Sequence, residues 1–459
     1  MSRIQNRSYN QAGPLGAPTK SMNSNQMGNT TSAHFPLLCS LDIGTSSIKI
    51  VMARVSPINT YNSINSSNTG ATFSPTQIDV VGVGVCPNSG LKNGVVVNIE
   101  ATTECIRKAK EEAELMSGIK ALEVWVSVSG SHIQSMDSRG MVAIKNKEVT
   151  LQDIERVIEG AKAIQIPVDR SVLHVIPREY KVDSQDGIVD PVGMSGVRLE
   201  ASVHIVTASQ SALSNLTKCI EKSGLKVAGY VLDQVANIES VLSTDEKSLG
   251  VCCVDIGAAS TKLVYVVSGG QVLTAYVPIG GQHFTQDVAI GLRTPQVFAE
   301  TLKKKYGSAM ASLVSDTDTL EVEGVGGRKA RTVQRKELAT ILEARAEECL
   351  NLIANNIRLS GLHPLLGSGI VLTGGASQLE GLVEMGEFVF DLPVRKGTPV
   401  AVGGLKDVVK GAEFTTSLGL LIYAIENTQI LAMGYMSNPF SGGIGNVTDK
   451  VKKFFSDLF

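Results

Sequence analysis

Apolar positions along the chain fall into two rhythms, one of period two and one of period 3.6. Residues 37–55 read LLCSLDIGTSSIKIVMARV: an apolar run, a Gly-Thr-Ser turn and a second apolar run, the pattern of a β-hairpin. Residues 78–85 (IDVVGVGV) resume a sheet, and Glu123 to Ser129 (EVWVSVS) predicts a strand. Ile99 to Met116 carries apolar residues at helical spacing with charges between them. Thr150 precedes a predicted helix from Leu151 to Ala163, with Asp153 three residues on as an approximate capping box. Val172 to Tyr180 and Ser202 to Ala208 predict further strands, so roughly 125–207 reads as a small α+β lobe. Residues 296–306 and 335–359 predict charged helices, and Ile370 to Leu382 a strand, a Gly-Gly turn and a helix.

One pattern occurs twice. Gly250 to Val267 reads GVCCVDIGAASTKLVYVV, and like residues 37–55 it is apolar strand, Asp-Ile-Gly, small residues, Lys and apolar strand. Asp42 and Asp255 stand 213 positions apart. That interval is too long for a solenoid repeat and suits a duplicated domain. Between and around these segments the texture changes. Residues 1–36 are rich in Asn, Ser, Gly, Gln and Thr and are expected to be a disordered tail, because they cannot bury enough apolar surface to offset ordering entropy. Residues 56–76 are expected to be a flexible insert, and 426–445 a linker. The ordered part thus divides into 37–124 and 208–425, interrupted by the lobe at 125–207.

Composition narrows the function. In 459 residues, 42 Lys plus Arg face 44 Asp plus Glu, a net charge of −2. That excludes a generally basic nucleic-acid binder and an acidic disordered chain. Apolar stretches fall short of the ~18 residues that cross a bilayer; Ser417 to Ile425 is stopped by Glu426. The polar start lacks an apolar signal segment, so export is not expected. The seven cysteines include no C-x-x-C and sit mostly in apolar runs, as reduced cytosolic thiols do.

A strand–Asp-x-Gly–strand hairpin has a chemical use. Small turn residues let backbone N–H groups approach phosphate oxygens, and the Asp can hold Mg²⁺ through water. One such turn alone reads sooner as an ordinary hairpin; two at domain separation, with a third turn at Gly374-Gly375-Ala376, point to a nucleotide. This set, in this order, resembles the phosphate-1, phosphate-2 and adenosine motifs of the actin/Hsp70/hexokinase superfamily. Within it, VLHVIPREY (172–180), DPVGMSGVRLEASVHIVTA (190–208), GLKVAGYVLD (224–233), GGRKARTVQRKELATILEAR (326–345) and GIVLTGGASQLEGL (369–382) resemble the FtsA family.

The resemblance implies an α/β, actin-like two-lobed fold of duplicated RNase H-like domains, with 125–207 as the FtsA-type 1C subdomain. It implies ATP and Mg²⁺ between the lobes. Asp42, Gly44, Thr45, Ser46, Ser47 and Lys49 would line one phosphate side, and Asp255, Gly257, Ala258, Ala259, Ser260 and Thr261 the other. Gly374, Gly375 and Ala376 would approach the adenosine. Glu300 and Lys303, one turn apart, would face ribose or base; a solvated charged face is the other reading, and Lys304 and Lys305 compete for the role. Asp42 and Asp255 would hold the metal. Asp233 or Gln234 would orient an attacking water, although Asp233 reads equally as a helix cap. The family's Asp-Ile-Gly-Gly-Gly-Thr is here Asp-Ile-Gly-Ala-Ala-Ser-Thr. Wherever that turn needs φ > 0, Ala costs on the order of 1 kcal/mol, so a looser grip on phosphate and at most slow ATP hydrolysis are expected.

The last residues, NVTDKVKKFFSDLF (446–459), place Val447, Val451, Phe454, Phe455 and Leu458 on one helical face, with Lys450, Lys452 and Lys453 on or beside the other. A short helix of this kind suits an anionic membrane surface and would bind reversibly, with polymers gaining avidity. In the family resembled, it is the membrane-targeting helix. Arg328, Lys329, Arg331, Arg335, Lys336 and Arg345 form a local basic patch without aromatics, which argues against single-stranded nucleic acid. By resemblance it is where the C-terminal tail of FtsZ binds, with Arg331 and Arg345 foremost. The expected protein lies at the division septum on the cytoplasmic face of the inner membrane, polymerises, anchors FtsZ filaments and helps recruit later division proteins. A sugar kinase of the same superfamily and a pilus-type scaffold such as PilM are the rival readings; both leave the terminal helix unexplained.

Overall fold

The computed structural model of the chain describes residues 36–57, 76–267, 271–400 and 402–427. The expected tail up to 35, most of the insert and the segment 446–459 lie outside them. Two larger sheets share one topology. In the first, the strands run in the order Lys226–Leu232, Glu123–Val128, Leu37–Ile43, Ser47–Pro57, Thr76–Pro87 and the short Gly403–Gly404. In the second the order is Val394–Lys396, Ile370–Thr373, Val251–Ile256, Thr261–Val267 and Gln271–Val277. Each is built from an antiparallel three-strand meander whose first strand takes parallel partners on its other side. The repeated sequence is therefore a repeated lobe, an α/β fold of two related halves.

The parallel strands are near-continuous apolar runs because helices cover both faces. Val251–Ile256 is buried at every position, and Ile370–Thr373 likewise. Helix Arg335–Leu359 lays Leu338, Leu342, Ala346, Leu350, Ile353 and Ile357 into the second lobe's core, at the three- and four-residue spacings of one helical face. Helix Ile99–Ser117 does the same for the first lobe with Cys105, Ile106, Ala109 and Ala113. Asn98 caps its start and left-handed Gly118 its end. Six of the seven cysteines are buried, and all are free thiols. No described helix is long and apolar enough to cross a membrane.

The third sheet, ordered Ile133–Ala143, Arg198–Ser209, Arg170–Val182, Gln185–Ile188, is the small lobe. Helix Leu151–Lys162 covers one face of it, with the expected capping box between Thr150 and Asp153. The expectation that this lobe starts at 125 is corrected: Glu123–Val128 pairs in parallel with both Leu37–Ile43 and Lys226–Leu232, so it belongs to the first lobe's sheet. Three further bounds shift. The strands flanking the insert extend to Pro57 and back to Thr76. Helix Thr415–Asn427 takes in residues 426 and 427 of the expected linker. The turn at Gly374 leads into a 3-10 turn, Gly375–Gln378, and the helix begins only at Leu382.

The small lobe touches both large ones. His174, on strand Arg170–Val182, accepts a hydrogen bond at Nε2 from the backbone N–H of Leu232, at 2.8 Å. Its ring meets the edge of Tyr423 on the last described helix, centroids 5.9 Å apart. His204 reaches the second lobe: its Nε2 lies 3.4 Å from Oγ1 of Thr274, while Nδ1 lies 2.8 Å from Asp137. Burial pushes the His174 pKa down from 6.5 to about 4. Its neutral ring is thus part of the folded state, whereas the unfolded chain takes up a proton below pH 6.5. Stability tied to this group is complete above pH 6.5 and is lost as the pH falls toward 4, by about 3 kcal/mol in all. His174→Gln keeps an acceptor for Leu232 but cannot titrate. Denaturant unfolding of the two proteins at pH 7 and pH 4.5 should show a smaller acid loss in the variant; equal losses would remove His174 from the account.

Candidate functional site

The two hairpins place an Asp and a Lys opposite each other in the same register. Asp42 pairs across the strands with Lys49, and Asp255 with Lys262. Both turns close alike: the Gly44 N–H donates to the Ser47 carbonyl and the Gly257 N–H to that of Ser260, each at 3.0 Å. In the first lobe the Lys49 ammonium lies 2.9 Å from Asp42. Asp42 also accepts from the Ser127 hydroxyl at 2.9 Å. Asn88 braces this turn: its side-chain N–H donates to the Gly44 carbonyl, its backbone N–H donates to the Ser46 carbonyl, and its side-chain oxygen accepts from the Gly90 N–H. Thr45 and Ser47 are half-buried and Ser46 is exposed.

The second hairpin meets a carboxylate from the other lobe. Helix Asp233–Val241 follows strand Lys226–Leu232 of the first sheet, and its first residue points at Lys262. Lys262 lies 2.9 Å from Asp233 and 3.3 Å from Asp255. Burial disfavours the ammonium, but the Asp233, Asp255 and Asp42 charges outweigh that and hold the lysine pKa above its ordinary value. Burial pushes the Asp233 carboxyl up; Lys262 draws it back down, and the Asp255 and Asp42 charges add to the rise. Three carboxylates and two ammonium groups thus share one junction. The helix-cap reading of Asp233 is settled by these partners: its carboxylate takes the adjacent Gln234 N–H and Lys262, and caps no later amide. Gln234 donates its side-chain N–H to the carbonyls of Leu263 and Ala275, tying it to the second lobe.

The third turn closes on the second hairpin. Gly374 has φ of 85°, and a Cβ there would stand 2.1 Å from Oδ1 of Asp255, so only glycine fits on both counts. Above Gly375 the space within 4 Å of a Cβ is open. A Cβ on Gly281 would fall 3.2 Å from that of Ala376, 3.5 Å from the Lys303 ammonium and 3.6 Å from the Gly257 carbonyl. Gly281 is the missing side chain around which the second and third turns and Lys303 converge. Lys303 donates to the Gly281 carbonyl at 2.9 Å and to Thr285 at 2.8 Å, and pairs with Glu300 at 2.7 Å. The three lysines differ in placement: Lys304 is exposed and reaches the other oxygen of Glu300, and Lys305 is exposed too. Burial lowers the Lys303 pKa, although Glu300 opposes it. Glu300 resists its own burial through Lys303 and Thr285 and stays below the usual carboxylate range.

Two sequence expectations are corrected. Thr261 faces away: it is fully buried, and its hydroxyl donates to the Ile279 carbonyl at 2.7 Å. It occupies the place of Ile48 in the first hairpin, a core position. Ala258 and Ala259 are not among the residues with positive φ, so neither methyl strains the turn. Lys262, Ser127, Asn237 and the Gly280-Gly281 pair were not singled out in the sequence. The second copy's Thr-Lys-Leu and a second Gly-Gly before a helix were the signals available. In the basic patch, Arg345 is engaged by Asp287 and Glu348, Arg335 by Asp318 and Glu380 and Lys336 by Asp316. Arg328, Lys329 and Arg331 are exposed, Arg331 donating to the Leu292 carbonyl at 3.2 Å.

Comparison with known proteins agrees with this arrangement. The family model for cell division protein FtsA matches residues 252–419, and that for the SHS2 domain inserted in FtsA matches 130–207. Over 390 residues the chain is 42% identical to cell division protein FtsA of Pseudomonas aeruginosa, covering 85% of this chain and 89% of the relative. Over 426 residues it is 39% identical to that of Neisseria meningitidis serogroup B, covering 91% and 98%. The chain belongs to the FtsA family of cell-division proteins. The FtsA insert match begins after Glu123–Val128, as the sheet pairing requires. Among solved structures, a PilM-PilN type IV pilus biogenesis complex aligns with a TM-score of 0.58 at 17% identity, over 84% of this chain and 98% of that one. That likeness is one of actin-like fold, and the sequence relationship to FtsA sets the sugar-kinase reading aside.

The junction makes a stability prediction. Lys262→Met would leave Asp233 and Asp255 as buried carboxylates without their shared cation, and should cost about 3–5 kcal/mol at neutral pH. The loss should shrink in acid, where the raised Asp233 pKa lets that carboxyl protonate more readily than an exposed one. Urea unfolding at pH 7 and in mild acid measures both; a neutral-pH cost under about 1 kcal/mol would mean the lysine is dispensable.

Proposed function

We propose that this chain binds ATP with Mg²⁺ at the junction of its lobes, assembles with copies of itself, and ties FtsZ filaments to the cytoplasmic face of the inner membrane at the division septum. The observation that carries the reading is the convergence of two Asp–Lys hairpins, the Gly374-Gly375 turn and Lys303 on the space left by Gly281. Backbone N–H groups of the two small-residue turns suit phosphate oxygens. The open face of Gly375 and Ala376, beside Glu300 and Lys303, suits the nucleoside. Lys49 and Lys262 supply cations where a triphosphate brings negative charge.

The residues also fit a hard divalent cation. Asp42 and Asp255 offer carboxylate oxygen, while no group of three or more acidic, His or Cys side chains among the described residues could hold a metal alone. Mg²⁺ is commonly held by one or two carboxylates together with waters and substrate phosphates, and Asp42 and Asp255 would supply the carboxylates. When bound it would neutralise phosphate charge. Asp233, a candidate for orienting an attacking water, is committed to Lys262. The reading therefore gives ATP a structural role, holding the lobes in one arrangement, with hydrolysis slow.

The membrane arm rests on the periodicity of 446–459, which lies outside the described residues. Val447, Val451, Phe454, Phe455 and Leu458 would enter the interface, with Lys450, Lys452 and Lys453 against anionic headgroups. For the FtsZ tail, Arg331 with Arg328 and Lys329 presents exposed cations, whereas Arg345 is spoken for by Asp287 and Glu348. The small lobe is the proposed contact for later division proteins or neighbouring copies.

Two measurements test the halves separately. Gly375→Val sets a side chain in the open space of the third turn and should weaken ATP·Mg²⁺ binding at least roughly tenfold, with thermal stability close to wild type; unchanged affinity would place the nucleotide elsewhere. In co-sedimentation with anionic liposomes, the full chain should pellet and a 1–445 truncation should stay in solution, with ATP increasing pelleting if polymerisation adds avidity. Equal behaviour of the two chains would end the membrane-anchor reading.

A further inference from the structure

Asp255 has two carboxylate oxygens in different surroundings. Oδ2 is shared between the Lys262 ammonium, at 3.3 Å, and the side-chain N–H of Asn237, at 3.4 Å. Oδ1 faces Gly374 and the open turn. Lys262 stands nearer to Asp233 than to Asp255, so its ammonium does not by itself fix the Asp255 plane. Asn237 is the directional partner. It is 1% exposed, on the helix that begins at Asp233.

The orientation of Asn237 is in turn set from a distant part of the chain. The Thr416 hydroxyl donates to Oδ1 of Asn237 at 2.9 Å. A carboxylate only accepts, so the amide nitrogen of Asn237 must face Asp255 and its oxygen must face Thr416. The polarity of the whole chain, Thr416 to Asn237 to Asp255, is thereby fixed. The helices that carry the two residues cannot slide apart cheaply: a Cβ on Gly419 would lie 1.9 Å from the Ala236 carbonyl, so their backbones touch. Ser240 donates to the Thr415 carbonyl, and the Thr415 hydroxyl lies 2.8 Å from that of Thr373, the residue before Gly374. The first turn of helix Thr415–Asn427 therefore braces both Asp255 and the strand end that leads into the third turn.

We infer that Asn237 and Thr416 are positioning residues for Asp255, holding its Oδ2 so that Oδ1 is presented to the divalent cation that accompanies the nucleotide. The inference rests on the nucleotide reading above and goes beyond it by assigning the cation's grip to a hydrogen-bond chain that starts on the last described helix. Loss of an outer hydrogen-bond partner typically weakens metal binding by roughly 10–100-fold. Thr416→Val removes the hydroxyl at constant volume, and Thr416→Ser restores it without the methyl.

The test is nucleotide binding to the full-length chain, followed by fluorescence of a labelled ATP, as Mg²⁺ is titrated from chelated to saturating. Thr416→Val should raise the Mg²⁺ concentration for half-maximal tight binding roughly tenfold, while the affinity measured in chelator stays within about twofold of wild type. Thr416→Ser should return near to the wild-type Mg²⁺ requirement and melt as wild type does, whereas Thr416→Val, which leaves the Asn237 oxygen without its donor, should melt only a few degrees lower. A Thr416→Val protein with an unchanged Mg²⁺ requirement overturns the inference, as does one whose affinity falls equally with and without Mg²⁺, which marks a packing role. Wild-type protein that binds no nucleotide at any Mg²⁺ concentration overturns the underlying reading, a result distinct from either.

Discussion

Lys262 sits between Asp233, carried by the first lobe, and Asp255, carried by the second, and everything at the junction is arranged around that ammonium. Two buried carboxylates brought together without a cation would repel and take up protons. With the lysine present that repulsion is relieved, and the desolvation of the buried groups is offset by short-range attraction and by the donors around them. The arrangement is poor as a source of net stability and well suited to specificity. It permits one relation between the lobes, because any other leaves a charge unpaired. The first hairpin repeats the pairing as Lys49 and Asp42, so the junction holds two ammonium groups fixed in place.

The turns show how little sequence this geometry needs. In each hairpin the Lys follows its Asp by seven positions, and the bends close through the same backbone hydrogen bond. Because the residues after Gly257 hold ordinary negative φ, Ala258 and Ala259 serve as well as glycine there. At Gly374 no substitution is open, since both the backbone angle and the Asp255 oxygen forbid a side chain. Glycine is demanded where a backbone must pass a carboxylate, and is optional where it only has to turn.

The small lobe is tied in by two buried histidines, one against the strand end before Asp233 and one against the edge strand of the second lobe. Tyr423 lies against both His174 and Trp125, so the last described helix is packed on the small lobe as well as on the site. That helix braces Asp255 at its start through Thr416 and Asn237. Residues 428–459 follow from its other end, so the segment proposed to reach the membrane continues from an element that is built into the site.

Features governed by neighbours in sequence were legible from the chain alone. The helices Gln296–Tyr306 and Arg335–Leu359 begin and end where their apolar spacing says, and the Thr150 capping box forms because its partners are three residues apart. The duplicated Asp-Ile-Gly hairpins, and with them a duplicated domain, were readable for the same reason, while the FtsA relationship and the two-lobed fold it implies rested on resemblance in longer segments such as residues 172–180 and 369–382. Tertiary structure decided which way each side chain faces and what it meets. Arg345 looked like a free cation until Asp287, 58 residues away, was folded against it. Thr261 looked like a phosphate ligand until strand register turned it into the core. Glu123–Val128 could have begun the small lobe until pairing with Leu37–Ile43 placed it in the first sheet. Asn237 carried no motif at all, and its role depends on Thr416, 179 residues further on. Local sequence sets backbone preference through sterics and spacing; the partner of a buried charge is chosen by the fold, because only the folded chain removes the water that would otherwise serve.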